Sequence, residues 1–281
     1  MPRRARSIQG GLVYHVLNRS NGRHPIFFAK RRDRKRGRES FLDSKEHVEY
    51  RLAMPRRARS IQGGLVYHVL NRSNGRHPIF RKEADYVAFE RVLEEAFERE
   101  PLRILAYCVL PNHWHFVVWP KQGADRQVSE FFRWLTVTHT QRWHAHHHTS
   151  GNGHLYQGRF KSFPVESDDH QFTVLRYVER NSVRANLAER AELWRWSSAW
   201  RMDQGAAASR EILCGWPIPR PRDWLTRVNR PETQGELESL RRSVQRGQPF
   251  GSESWCERII KRLGLESSVR RPGRPKKPVT P

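Results

Sequence analysis

The chain has 281 residues, 52 of them lysine or arginine against 29 acids, and a net charge of +23. That excess is beyond what solubility needs and points to a polyanion, above all nucleic acid, held partly by counterion release; an arginine-favouring genome would raise the charge without any function. No run of about 18 apolar residues is present to span a membrane, the basic N-terminus lacks the apolar stretch of a signal peptide, and three scattered cysteines (Cys108, Cys214, Cys256) fit a reducing cytoplasm without disulfides or a zinc ribbon.

Residues 1–27, MPRRARSIQGGLVYHVLNRSNGRHPIF, recur unchanged at 54–80. Solenoid repeats diverge and come in larger numbers. An identical pair, each copy opening on Met, reads as a recent duplication or a misplaced start. The stretch between the copies, 28–53, is a charged linker. Residues 1–53 are therefore expected to be disordered, with Met54 as the functional start.

From Met54 the elements follow in order. Leu65–Asn71 alternates as a strand. Lys82–Glu100 is an amphipathic helix, with Phe89, Val92, Leu93, Ala96 and Phe97 at helical spacing. Strands are predicted at 103–110 and 113–119, broken by Pro111-Asn112. A helix spans Asp125 to about Ala145 and a strand 160–166. Asp168-Asp169 then cap a helix from Gln171 to about Ala185. The order β-α-β-β-α-β-α predicts an α+β, ferredoxin-like antiparallel sheet with helices on one face and the other face open.

Residues 201–269 differ in kind. The segment 201–230 is rich in Arg, Pro and Gly and is expected to lack a regular core. Glu236–Arg246 and Glu253–Leu263 read as short helices, together a small DNA-binding-like module of the helix-turn-helix type. The tail 270–281 carries RRPGRPKK, with Arg271, Arg274 and Lys276. It is either an AT-hook-like minor-groove ligand or a basic tail for any phosphate.

Chemistry concentrates in CVLPNHWHFVVW, 108–119. On a strand, His113, His115 and Val117 share one face, while Trp114, Phe116 and Val118 take the core face. Two imidazoles on one rigid face suit a divalent metal with open positions, or are simply solvated. In LRYVERNSVRANL, 175–187, Tyr177 and Asn181 lie four apart on one helix face. Asn181 offers a hard oxygen ligand and Tyr177 a phenol, although a tyrosine on such a helix is more commonly a core aromatic. A phenol is a poor nucleophile at neutral pH, so its phosphate target must be polarised. HAHHH, 144–148, is a further metal candidate or a solvated helix end. Tyr156, Arg159 and Lys161 are DNA contacts or an ordinary basic loop.

His113-Trp114-His115 followed some sixty residues later by YVERNSVRANL resembles the HUH single-tyrosine transposases, and within them the REP-associated tyrosine transposase branch. GLVYHVLNRSNGR, LYQGRFKS (155–162) and LWRWSSAW (193–200) fit that branch in the same order. The likeness covers 54–200. It implies a metal-dependent single-stranded DNA endonuclease and strand transferase acting through a 5′-phosphotyrosine. Tyr177 would be the nucleophile, and His113, His115 and Asn181 would hold Mg²⁺ or Mn²⁺. The implied partner is single-stranded or hairpin DNA of the REP-palindrome kind, engaged by a monomer or homodimer in a bacterial cytoplasm, at the nucleoid. Asn71, Arg72, Tyr156, Arg159, Lys161, Arg271, Arg274 and Lys276 are the candidate DNA contacts. Ser182 stands where the branch shows Pro. It is compatible with helix continuation, and no loss of chemistry is expected. The alternative is a catalytically lapsed nucleic-acid-binding regulator on the same fold. A replication initiator or relaxase is a further reading, but no helicase region is evident.

Overall fold

β1 (Val66–Arg72), β2 (Arg103–Leu110), β3 (His113–Trp119) and β4 (Lys161–Val165) build one sheet in the order β2-β3-β1-β4, every neighbouring pair antiparallel. The structure, a computed structural model, describes residues 60–206 and 211–270. Residues 1–53 and the tail contacts Arg271, Arg274 and Lys276 lie outside the described residues. The expected α+β antiparallel sheet is present, and β2 and β3 have the expected bounds. Pro111-Asn112 closes the β2–β3 hairpin, with Leu110 opposite His113. Both turn residues are also used elsewhere: Asn112 O accepts Ser73 N–H, and Pro111 O accepts the N–H groups of Ile79 and Phe80. This ties the hairpin tip to the segment leaving β1.

Helices α1 (Glu83–Arg99) and α2 (Gln127–His146) cover one face. Tyr67, Val69, Trp114, Phe116 and Val118 bury there against Phe89, Leu93, Phe131, Phe132 and Leu135. The opposite face is not open, as the sequence reading expected. Helix α3 (Asp169–Glu179) lies on it, and Val174, Leu175 and Val178 bury against Val66, Leu70, Cys108 and Val117. An amphipathic helix must bury its apolar stripe somewhere. Since β1 and β3 carry apolar residues on both faces, the sheet supports a layer on each side.

The segment 201–230 also departs from expectation. α5 (Ser198–Asp203) and α6 (Trp224–Asn229) form, and Trp224 and Val228 are buried in the α3 layer. Six-residue helices are too short to show a helical period, which is why pattern alone missed them. α7 (Gln234–Arg246) carries a Thr233–Glu236 capping box and ends on left-handed Gly247. It packs on β4 through Leu240. α8 (Glu253–Leu263) follows. The link between them runs along β4, where Phe250 N–H donates to Pro164 O and Glu166 N–H to Phe250 O. α7 and the link that follows it are therefore built onto the sheet edge. On the far edge, Val109 N–H donates to Trp196 O and Cys214 N–H to Ile104 O. Both edge strands thus have neighbours that occupy their exposed hydrogen-bonding groups.

His139 lies on the buried face of α2 with its Nδ1 at 2.8 Å from the Tyr156 hydroxyl, and burial pushes it down to about 3. An unfolded histidine takes its proton near pH ~6.5. Above that pH the ring is neutral in both states. Below it, the unfolded state binds the proton first, so stability falls on acidification towards pH 3. Denaturant titrations should therefore show lower stability at pH 5 than at pH 7. A His139→Gln variant should lower the proton uptake on unfolding by about one, flattening the slope by about 1.4 kcal/mol per pH unit.

Candidate active site

Period two along β3 turns His113 and His115 to the face opposite Trp114 and Phe116. Their ring centroids are 5.1 Å apart. Above them lies α3. The Tyr177 ring meets His115 edge-on at 5.9 Å, and Tyr177 is 7% exposed. Asn181, at the start of α4 (Asn181–Arg184), is buried as well. The sheet and the helix that follows it thus bring together Tyr177, His113 and His115 from segments sixty residues apart.

The expected helix 171–185 is split. α3 ends at Glu179, Arg180 turns with φ −80° and ψ 0°, and α4 restarts at Asn181. The side chain of Arg184 explains part of the break: its Nη2–H donates to Tyr177 O at 3.1 Å, taking an acceptor that a continuous helix would use internally. Ser182 is fully buried at this second turn, and its hydroxyl has no hydrogen-bond partner. A proline would leave no such group, so Ser182 costs stability but sits where a helix start tolerates either residue.

The donor set suits a divalent ion. Burial, followed by the charge of Arg72, lowers His113 to about 4. Burial and the neighbouring His68 hold His115 well below the ordinary histidine range. Both rings are therefore neutral at pH 7, as ligands must be. The Asn181 side-chain nitrogen is buried without a partner, and exchanging the amide's N and O would present an oxygen there instead.

Other groupings with ligand atoms close together are Asp85 with His146 and His147, and Glu166 with Asp168 and His170. Their carboxylates have structural work. Asp85 accepts the N–H groups of Arg81 and Lys82 ahead of α1. Asp168 caps α3, and Glu166 accepts Ser252 N–H. HAHHH thus ends α2 beside Asp85.

The candidate DNA contacts divide. Arg72 lies opposite His113 in the β1–β3 register, at the rim of the site. Arg159 and Lys161 line a groove with Arg246 along β4. Asn71 is buried, with its Oδ1 accepting Arg72 N–H and its Nδ2 donating to Gly158 O. It shapes the β1 end rather than facing a ligand. Tyr156 is corrected outright. Its hydroxyl accepts Trp114 Nε1–H on the α1–α2 side of the sheet, and the residue is 5% exposed. It faces neither solvent nor the histidine pair.

Sequence reasoning missed four residues here. His68 lies beneath the pair on β1, and the alternation of LVYHVLN already placed it on the Val66–Leu70 face. Arg184 stacks its guanidinium over the Tyr177 ring at 4.0 Å. Glu232, buried, accepts from Arg180 Nη1 at 3.2 Å and Arg184 Nη1 at 2.7 Å. Glu179 accepts Ser198 Oγ–H and Trp224 Nε1–H, and burial raises its pKa. No local pattern announced Glu232, because its partners are some fifty residues away.

Residues 62–181 match the family model described as "Transposase IS200 like". This segment is similar to the IS200-like transposases. The match opens just ahead of β1 and closes on Asn181, so it contains the sheet, the histidine pair and Tyr177. No curated protein matches the chain. Among solved structures, a REP-associated tyrosine transposase bound to a REP hairpin is 21% identical, covering 55% of this chain and 87% of its own at a TM-score of 0.42. A candidate transposase from Deinococcus radiodurans is 17% identical, covering 47% and 98% at a TM-score of 0.30. The four strands and α3 fall inside the matched residues. The Glu232 clamp comes from beyond it.

The clamp gives a stability prediction. Removing a buried carboxylate that holds two guanidinium groups should cost about 3 kcal/mol. Glu232→Ala is expected to lower stability by about that amount in a denaturant titration. Glu236→Ala, at the more exposed capping box of α7, should cost about 1 kcal/mol.

Proposed function

We propose that this transposase is a metal-dependent enzyme that cuts and rejoins single-stranded, hairpin-associated DNA through Tyr177, in the manner of the REP-associated branch. The observation that carries the reading is the stacking of elements. α3 sets the Tyr177 ring 5.9 Å from His115, which itself lies beside His113. A nucleophile and two neutral nitrogen ligands thus share one buried-edged face, in a chain with a net charge of +23.

Tyr177 supplies the attacking oxygen. Its Oη bonds to phosphorus while the P–O3′ bond breaks. The phenol releases its proton, and the leaving 3′-oxygen gains one. The product is a 5′-phosphotyrosyl end with a free 3′-hydroxyl, and the reverse attack by another 3′-hydroxyl rejoins strands. Mg²⁺ or Mn²⁺ held by His113, His115 and Asn181 would polarise the scissile phosphate and stabilise its developing charge. Arg184 fixes the Tyr177 ring from the other side, and its side chain cannot wander because Glu232 holds it. Arg72, with Arg159 and Lys161 along β4, would meet DNA phosphates.

Labelled hairpin DNA incubated with the chain and Mn²⁺, then run on a denaturing gel, tests the reading. The wild type should give a covalent adduct. Tyr177→Phe, which keeps the ring and its packing, should bind DNA normally and give none. His115→Ala should bind and lose cleavage, since affinity comes from basic side chains. Near wild-type cleavage by His115→Ala would remove the metal assignment. Tight binding without any adduct, even by the wild type, would support the lapsed regulator. Lys161→Ala should weaken binding evenly across sequences and reduce the magnitude of the log K against log salt slope by about 1.

A further inference from the structure

We propose that His68 is a positioning residue for metal capture: it accepts the Nδ1–H of His115 and so keeps the Nε2 of His115 bare for the ion. This rests on the reading of His113, His115 and Asn181 as ligands. His68 Nε2 and His115 Nδ1 are 2.8 Å apart, and both rings are buried. The rings lie near parallel, 24° apart in plane, with centroids at 5.0 Å. Phe163 packs edge-on to His68 at 4.9 Å and Tyr177 at 6.0 Å. His68 therefore sits between the sheet and the proposed nucleophile with little room to turn.

A neutral imidazole has one N–H and one bare nitrogen, so a single proton lies between this pair. If His115 donates it, His115 Nε2 is bare and can bind a metal. If His68 donates it, His115 carries its own proton on Nε2 and cannot. Ligating histidines commonly donate their other N–H to an acceptor, which fixes tautomer and ring orientation. His113 already shows this arrangement. Its Nδ1 lies 2.6 Å from Asn112 Oδ1, and the Asn112 amide is oriented because its Nδ2–H donates to Arg76 O. The amide can only accept from His113, which leaves Nε2 of His113 bare. His68 performs the same task for His115 from beneath. The buried Nδ1 of His68, which has no partner, is what the arrangement costs. A ring kept only for packing would be better served by phenylalanine in this pocket.

The experiment uses the full chain and Mn²⁺ alone, titrated calorimetrically, with unfolding temperatures measured alongside. His68→Phe keeps a ring but removes the acceptor. It should weaken Mn²⁺ binding about tenfold or more without lowering the unfolding temperature. His68→Gln, whose carbonyl oxygen can accept near the former Nε2, should recover most of the affinity. Nitrogen-15 spectra of the Mg²⁺-loaded wild type should show His115 protonated on Nδ1. Wild-type Mn²⁺ affinity in His68→Phe, or equal weakness in both variants, would overturn the positioning role. Should His68→Phe fail to fold, the spectrum decides, since an Nε2–H on loaded His115 would overturn the proposal. Wild-type protein that binds no more Mn²⁺ than His113→Ala/His115→Ala would overturn the ligand reading itself, and this inference with it.

Discussion

The register of β3 between β1 and β2 is the constraint on which the rest depends. With Leu70 opposite His115 and Asn71 opposite Trp114, the tryptophan enters the α1–α2 core and the histidines face α3. A slip of one residue would exchange them, burying imidazoles among phenylalanines and leaving Trp114 under Tyr177. The register is held from several directions. β3 has a strand on each side, the two-residue turn at Pro111-Asn112 fixes its start, and that turn is bonded to the segment after β1. Trp114 itself is locked by its Nε1–H bond to Tyr156 and its stacking on Phe132. The packing residues of one face thus set the chemistry of the other.

The second face is closed by a layer that depends on residues far along the chain. α3 brings Tyr177 over the histidines, but α3 is itself held by Glu179, which receives bonds from Ser198 and Trp224. Arg180 and Arg184 are held in turn by Glu232. LWRWSSAW acquires a physical role here. Trp194 Nε1–H donates to Val109 O, Trp196 O accepts from Val109, and Ser197 caps α5, which carries Ser198 to Glu179. The region following the family match is therefore part of the scaffold that positions Tyr177.

Much of this was legible in the sequence, and the limits are physical. β2 and β3 were readable because a run rich in Val, Leu, Phe, Tyr and Trp is broken once, at Pro111-Asn112, and α1 because its apolar stripe is regular. His113, His115 and Tyr177 were brought near one another by a short-range periodicity plus a familiar order of motifs. What failed depended on tertiary partners. Tyr156 looks like any exposed aromatic in a basic loop until Trp114 and His139 are seen to hold its hydroxyl. The break after Glu179 required knowing that Arg184 caps Tyr177 O. The open face expected for the sheet ignored that α3 is amphipathic and must dock. His68 was overlooked although its face was readable, because one histidine in an apolar strand gains meaning only from a partner on the neighbouring strand.

Identification of the amino acid that becomes joined to DNA tests the central claim most directly. The full chain, reacted with single-stranded hairpin DNA and Mn²⁺, would be digested with trypsin and nuclease and its peptides sequenced by mass spectrometry. Cleavage after Arg176 and Arg180 isolates Tyr177 in the peptide Tyr-Val-Glu-Arg, in which it is the only tyrosine. The account predicts a nucleotide phosphate on that peptide and on no other. A nucleotide on a peptide carrying a different tyrosine would contradict the placement of Tyr177 as the nucleophile above the histidine pair.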